Sequence, residues 1–138
     1  MFDDLTTYYN EMLETYKELG YSETFIGQWT LPLRDAQTLV EIIKAYRPQR
    51  ILEVGTFVGM TTLLMALFSS PETHIYTIDP NFPLQIEMGS MGCKLDSCDT
   101  SIKAQDLALG AAERLGVEQK ITFHAGGFST GNTFASYN

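Results

Sequence analysis

The chain has 138 residues, with 17 acidic against nine basic side chains and a formal net charge of −8. Its 44% of hydrophobic residues is typical of one globular domain and excludes a disordered chain. The lysines and arginines are scattered, which argues against a nucleic-acid-binding surface, since such surfaces need clustered positive charge. The two cysteines, Cys93 and Cys98, are too few for a disulfide scaffold, so we expect a cytoplasmic protein with free thiols.

A membrane partner is not expected either. The most apolar stretch, residues 51–68, contains Glu53 and two glycines, which fits a strand followed by a helix better than a membrane span. His74 and His124 lie at the edges of predicted strands, and no metal site can be assembled from them. We therefore expect a single domain over residues 1–138, with helices in 1–49 and a cofactor-binding core in 50–138.

The N-terminus predicts an amphipathic helix. Apolar residues recur every three or four positions between Leu5 and Leu19, with Asp3 as the N-cap and Gly20 as the stop. Three tyrosines share this spacing and fit either the core or a partner surface, such as that of a homodimer: Tyr8, Tyr9 and Tyr16.

A loop and a second helix follow. Residues 21–33 show no period, and we expect Phe25 and Trp29 to anchor this loop by packing. The helical pattern resumes at Arg34 and ends before Pro48, because the residue before a proline avoids the helical conformation.

The remaining residues alternate between strand and helix patterns, which predicts an α/β fold with a parallel sheet. The short apolar segment 50–54 is expected to be a strand buried on both faces of the sheet. The segment between residues 80 and 102 has no sustained period and predicts a long loop or insertion. The other predicted elements are a helix at 61–69, a strand at 74–78, a helix at 103–115 and a strand at 120–124.

The residues that are most informative about function lie at the end of the first predicted strand and directly after it, in the segment EVGTFVG at residues 53–59. Gly55 allows a sharp turn with an accessible backbone, and Gly59 allows close approach where a helix begins with unpaired N–H donors. Asp79 ends the next strand, where a carboxylate can accept hydrogen bonds from ribose hydroxyls. Together these residues predict an adenosine-containing cofactor.

The positions of the glycines distinguish between two such cofactors. A dinucleotide-binding pattern counted from Gly55 needs glycines where this chain has Phe57 and Met60. S-adenosylmethionine has no pyrophosphate and leaves room for a side chain at position 57. Methyl transfer is therefore favoured, while an NAD-dependent oxidoreductase and a non-catalytic nucleotide-binding or interaction module remain as alternatives.

At these residues the sequence resembles the class I S-adenosylmethionine-dependent methyltransferases, and within them the small-molecule O-methyltransferases of the catechol and caffeoyl-CoA type. The segments that carry the resemblance are RILEVGTFVGMTTLLMAL, IYTIDP and AAERLGVEQKITFHAG. The resemblance implies a Rossmann-like fold, S-adenosylmethionine as the cofactor and a small-molecule methyl acceptor.

The resemblance also implies a set of cofactor-binding residues. Glu53, Gly55 and Gly59 would surround the methionine moiety, and Thr61 would reach its carboxylate. Asp79 would bind the ribose. The other residues that the resemblance places at the cofactor are Thr56 and Phe57 between the glycines, Pro80 beside the adenine, and Gly126 and Phe128 at the loop after the third strand.

The resemblance covers only the first half of that fold. It implies the strand order 3-2-1, with strand 50–54 at an open edge, where exposed strands promote aggregation. The family's substrate pocket, catalytic residues and any metal-binding aspartate would lie beyond residue 138. We therefore expect the chain to be the cofactor-binding part of a longer methyltransferase and to be inactive alone, and we assign no catalytic residue and no metal.

Overall fold

The computed structural model describes residues 4–18, 21, 26–27, 29–81 and 102–126. Its elements in chain order are α1 (Leu5–Glu18), α2 (Leu33–Tyr46), β1 (Arg50–Val54), α3 (Met60–Phe68), β2 (His74–Asp79), α4 (Ala104–Leu115), a 3-10 turn (Glu118–Lys120) and β3 (Ile121–Ala125). The predicted strands and longer helices are confirmed, with ends that differ by a residue or two.

The three strands form one parallel sheet in the order β1-β2-β3. Glu53 of β1 lies opposite Thr77 of β2, and Asp79 of β2 lies opposite Ala125 of β3. The α/β fold and the position of β1 at the edge of the sheet are therefore as predicted. Because the strands are parallel, their carboxyl ends meet at one edge of the sheet, which is where open α/β sheets bind ligands.

The helices pack against one face of this sheet. Ile51, Ile75 and Ile121 are paired across the strands, so their side chains share that face. They join a hydrophobic cluster that includes residues of all four helices: Leu5, Tyr8, Met12 and Tyr16 of α1, Val40 and Ile43 of α2, Leu63 and Leu64 of α3, and Ala111 and Ala112 of α4.

The other face of β1 is open. The side chains of Leu52 and Val54 are 47% and 64% exposed. The prediction that this strand is buried on both faces is therefore wrong. Successive residues of a strand face opposite sides, and the described helices cover only the side on which Ile51 lies.

Two predictions near the N-terminus also need correction. The cap of α1 is Asp4, whose Oδ1 accepts the N–H of Thr7 at 2.7 Å, so it lies one residue later than the predicted Asp3. Trp29, predicted to anchor its loop by packing, is 62% exposed, so most of its side chain is not buried. Its ring lies beside that of Phe57, with centroids 6.3 Å apart.

Several predicted features fall outside the described residues: Phe25, most of the loop 80–102 with both cysteines, and Phe128. Within the described ranges, no helix has the length and hydrophobicity that a membrane span would require.

Candidate functional site

The turn between β1 and α3 comprises residues 55–59 and has an unusual backbone. We call it the glycine turn. Gly55 has a φ of +93°, Phe57 of +50° and Gly59 of +87°. The N–H of Gly55 donates to the carbonyl oxygen of Ile78 at 2.7 Å, and the N–H of Gly59 donates to that of Thr56 at 2.9 Å. Positive φ strains L-residues, which explains why glycine occupies two of these three positions.

The two glycines meet different surroundings. A Cβ atom at Gly55 would have no heavy atom within 4 Å, so this part of the backbone is open to a ligand. A Cβ atom at Gly59 would lie 2.5 Å from the Cβ of Ala108 on α4. The close approach expected at Gly59 is therefore an approach of two helices, α3 and α4.

Asp79 connects the end of β2 to this turn. Its Oδ2 accepts the N–H groups of Thr56 at 2.9 Å and Phe57 at 3.0 Å. Its Oδ1 accepts the N–H of Asn81 at 2.8 Å. The buried carboxylate thus holds the strained part of the turn in place, a role that the sequence did not predict.

Glu53 lies on the helix-covered face of β1 and accepts hydrogen bonds at its Oε2. The donors are the hydroxyl of Thr62, on α3, and that of Thr77, which is 2.6 Å away on β2. Burial is the main influence on this group and raises the pKa of the Glu53 carboxyl to about 7, against the smaller opposing effect of the two hydroxyls. A substantial fraction of Glu53 is therefore protonated at neutral pH.

The polar contacts extend from Glu53 to α4. The hydroxyls of Thr77 and Thr56 are 2.6 Å apart, and the Nε2 of Gln105 donates to the Thr56 hydroxyl at 3.3 Å. The same Nε2 donates to the carbonyl oxygen of His124 at 3.0 Å. Thr56 is therefore buried, with its side chain hydrogen-bonded inside the protein.

Three of the predicted methionine-binding residues lie together. Glu53, Gly55 and Thr61 line one groove of about 400 Å³ at the edge of β1. The rest of its lining is mostly apolar: Leu31, Leu39, Ile51, Leu52, Val54 and Met65. The groove thus combines an apolar wall with a carboxyl group, a hydroxyl group and an open backbone.

The predicted ribose and adenine residues lie at the neighbouring strand ends. Pro80 is exposed directly after Asp79. The N–H of Gly126, which follows β3, donates to the carbonyl oxygen of Asp79 at 2.8 Å. Pro80 and Gly126 are therefore both adjacent to the carbonyl group of Asp79. In the described part of the chain, no three His, Cys, Asp or Glu side chains are grouped closely enough to hold a metal ion.

The sequence reasoning missed Gln105, Thr62 and Thr77, which build the buried network. Gln105 could have been noticed, because it is a polar residue on the alanine-rich face of α4 that packs into the core. The hydroxyl contacts of Tyr8 and Tyr16 with the glycine turn, described below, leave no local sequence signal, since they join residues 52 and 42 positions apart.

Solved structures share the fold of this chain. An O-methyltransferase from Bacillus cereus in complex with SAH is 14% identical, with a TM-score of 0.62 over 96% of this chain and 49% of its own. The O-methyltransferase TomG from Streptomyces achromogenes, involved in tomaymycin synthesis and solved in complex with SAM, is 18% identical, with a TM-score of 0.53 over 81% of this chain and 41% of its own. These similarities establish the fold.

The chain therefore spans less than half the length of these structures. No curated protein is similar enough in sequence to count as a relative. The sequence profile of the O-methyltransferase family matches residues 3–94, which include α1, the glycine turn and Asp79. The chain belongs to the O-methyltransferase family.

Proposed function

We propose that this chain binds S-adenosylmethionine and serves O-methylation of a small molecule. The observation that carries the proposal is the turn at Gly55, whose open backbone lies beside the Asp79 carboxylate at the carboxyl edge of the sheet. Family membership and neighbours solved with SAM and SAH support the same cofactor.

The residues of the groove suit the methionine end of the cofactor. Glu53 offers a carboxyl group to a cationic amine, and Thr61 lies in the first turn of α3, where backbone N–H groups lack acceptors within the helix. Gly55 lets the ligand approach the backbone because its position has no side chain and free space beyond it.

Asp79 suits the ribose. Its Oδ1 accepts one N–H group in the structure, and a carboxylate oxygen can accept two hydrogen bonds, so Oδ1 can take a ribose hydroxyl. Pro80 and Gly126 flank this position and would border the adenine, with Phe128 after them in the chain.

When bound, S-adenosylmethionine would supply an activated methyl group: an acceptor oxygen would form a bond to the methyl carbon, in line with the carbon–sulfur bond that breaks, and S-adenosylhomocysteine would leave. The contribution of the described residues is to hold the cofactor at the sheet edge in one orientation. Such positioning is a main source of rate in a displacement that needs little covalent help from the protein. The acceptor is proposed to be a small molecule, as family membership suggests.

Binding of S-adenosylhomocysteine, compared with NAD, tests the proposal. A ligand that binds only the folded state stabilises it by about 2.7 kcal/mol at 100 times its Kd. We expect S-adenosylhomocysteine to raise the Tm and to change the emission of Trp29, the sole tryptophan of the chain, whose ring is next to Phe57. Stabilisation by NAD and not by S-adenosylhomocysteine would favour the oxidoreductase alternative and overturn the proposal.

A pair of variants locates the site. Thr61→Val removes the hydroxyl in the groove and should weaken binding of S-adenosylhomocysteine, whereas Thr38→Val makes the same change on the exposed side of α2 and should not. Equal affinities for the two variants would exclude the groove.

A homodimer and a cytoplasmic location are further proposals that rest on the sequence. The tyrosine stripe of α1 does not supply the dimer surface, because Tyr8, Tyr9 and Tyr16 are buried within the chain itself. The remaining exposed apolar surface includes Leu52 and Val54, and sedimentation at several protein concentrations measures whether the chain associates.

A further inference from the structure

Helix α1 reaches the glycine turn through two tyrosine hydroxyls. The hydroxyl of Tyr8 donates to the carbonyl oxygen of Met60 at 2.8 Å, and that of Tyr16 donates to the carbonyl oxygen of Val58 at 2.7 Å. The two carbonyl groups flank Gly59. The side chains are 0% and 1% exposed, so neither bond competes with water.

Both hydroxyl groups stay protonated and act as hydrogen-bond donors. Burial raises the pKa of Tyr8 and Tyr16 well above the ordinary value for tyrosine, so both stay protonated throughout the physiological range. The ring of Tyr8 also packs edge-on against Phe68 at the far end of α3, with centroids 6.2 Å apart. A phenylalanine at either position keeps the ring and removes the hydroxyl donor.

These carbonyl groups control the amides that follow them. A peptide unit is planar, so fixing the Val58 carbonyl orients the N–H of Gly59, and fixing the Met60 carbonyl orients the N–H of Thr61. The first of these N–H groups closes the turn on Thr56. The second belongs to Thr61, which lines the groove with Glu53 and Gly55.

The turn needs such support because its backbone is strained. Phe57 and Gly59 both have positive φ, and a non-glycine residue persists in this region only where the surroundings enforce it. Asp79 holds the turn from the side of the sheet through two N–H groups. The tyrosines hold it from the side of α1, through the carbonyl groups of Val58 and Met60.

We propose that Tyr8 and Tyr16 are positioning residues for the cofactor: their hydroxyls hold the backbone on either side of Gly59 in the conformation that binds S-adenosylmethionine. This inference rests on the proposed function of the turn. A preorganised site binds more tightly because less conformational freedom is lost on binding. Helix α1 thereby contributes to cofactor affinity without contacting the cofactor.

The test uses three Tyr→Phe substitutions in α1, one of which is a control. Tyr8→Phe and Tyr16→Phe, alone and combined, remove the donors. Tyr9→Phe is the matched control, because Tyr9 is buried on the same helix and no bond from its hydroxyl to the turn is present in the described structure. Two quantities are measured: amide hydrogen exchange in the ligand-free chain, and the Kd for S-adenosylhomocysteine.

Hydrogen exchange separates a local effect from a loss of overall stability. The Gly59 amide reports on the turn, and the Arg47 amide, bonded to Ile43 at the end of α2, serves as the remote reference. In the double variant we expect exchange of Gly59 to accelerate about tenfold relative to Arg47, and the Kd to rise about fivefold, as suits the loss of buried hydrogen bonds. Tyr9→Phe should change neither the exchange rate of Gly59 relative to Arg47 nor the Kd.

Three results would overturn the inference in distinguishable ways. Equal acceleration of Gly59 and Arg47 would show that the tyrosines only stabilise the fold. Faster exchange of Gly59 with an unchanged Kd would show that the conformation of the turn does not govern affinity. Failure of the wild-type chain to bind S-adenosylhomocysteine would reject the proposed function itself, and with it this role of α1.

Discussion

At the scale of single residues, the charge state of Glu53 depends strongly on the fold. Its carboxyl group accepts hydrogen bonds from Thr62 and Thr77 at one oxygen, beneath a groove that Gly55 and Thr61 also line. Two hydroxyl donors do not offset the loss of water around a carboxylate, so its pKa rises from 4.5 to about 7. The folded chain therefore binds this proton more tightly than the unfolded chain does.

This difference in proton binding predicts a specific pH dependence of stability. Because the folded-state pKa of Glu53 is raised, its contribution is fully present below pH 4.5 and is lost as the pH rises towards 7. The difference between the two pKa values corresponds to about 3 kcal/mol. Glu53→Gln, which mimics the protonated group, should lack this dependence.

Urea unfolding of the wild type and Glu53→Gln between pH 4.5 and 8 measures the effect. The free energy of unfolding of the wild type, relative to the variant, should fall by about 3 kcal/mol across this range. Other titrating groups affect both proteins alike and cancel in the difference. Parallel pH profiles would mean that Glu53 is ionised in the folded chain as easily as in the unfolded one.

Asp79 shows why removing a predicted ligand is a poor test of its role. The sequence reasoning assigned it to the ribose, yet the structure gives it three backbone N–H donors, two of them in the glycine turn. Asp79→Ala would leave these donors without their acceptor and would disturb the turn itself. Weaker cofactor binding by that variant would not identify the ribose contact, whereas Thr61→Val leaves these bonds in place.

At the scale of elements, the contact between α3 and α4 depends on small residues. Gly59 and Gly55 share a positive φ, but only Gly59 faces a neighbour, the Cβ of Ala108. Gly55→Ala should cost about 1 kcal/mol of backbone strain alone. Gly59→Ala should cost about 2 to 4 kcal/mol, because overpacking adds to the strain.

A double-mutant cycle separates the two contributions. Ala108→Gly removes the nearer of the two atoms that a Cβ at position 59 would meet and leaves the Cα of residue 108 at 3.2 Å, so the cost of Gly59→Ala should fall towards that of Gly55→Ala in this background. The free energies of unfolding of Gly59→Ala, Ala108→Gly and the double variant give the coupling. Additive effects would show that α3 and α4 can separate at no cost.

The elements were more predictable than the site they build. Local patterns sufficed for them: Gly116 ends α4 with a φ of +69°, and the break before Pro48 ends α2. The glycine turn and Asp79 were also located correctly relative to the strands. Gln105 stands out as a polar residue on an apolar helix face, but the hydrogen bonds that Tyr16 and Gln105 donate could not be predicted, because they depend on how α1 and α4 pack on the sheet, which no local pattern encodes.

Burial of β1 failed as a prediction for a related reason. The segment 50–54 has the apolar composition of a central strand, and composition reports what a strand can bury. Whether both faces are covered depends on which elements lie against them. In the described structure, Ile51 meets the helices and Leu52 does not.

At the scale of the whole molecule, β1 forms one edge of the sheet, and the face that the described helices leave uncovered is open at this strand. An edge strand carries unpaired backbone N–H and C=O groups, and here it also exposes Leu52 and Val54. Apolar side chains beside a free strand edge favour pairing with a second copy of the same strand. The chain should therefore associate as its concentration increases.

A charge on the exposed side of β1 should suppress this association. Val54→Lys places a cation at the most exposed apolar position of the strand, where like charges would meet if two β1 edges paired. Gln119→Lys adds the same charge at an exposed position of the 3-10 turn, away from β1, and controls for the change in net charge. Sedimentation velocity over a range of concentrations should show self-association of the wild type and of Gln119→Lys, and a monomer for Val54→Lys. If Gln119→Lys were as monomeric as Val54→Lys, net charge and not the edge of β1 would control association.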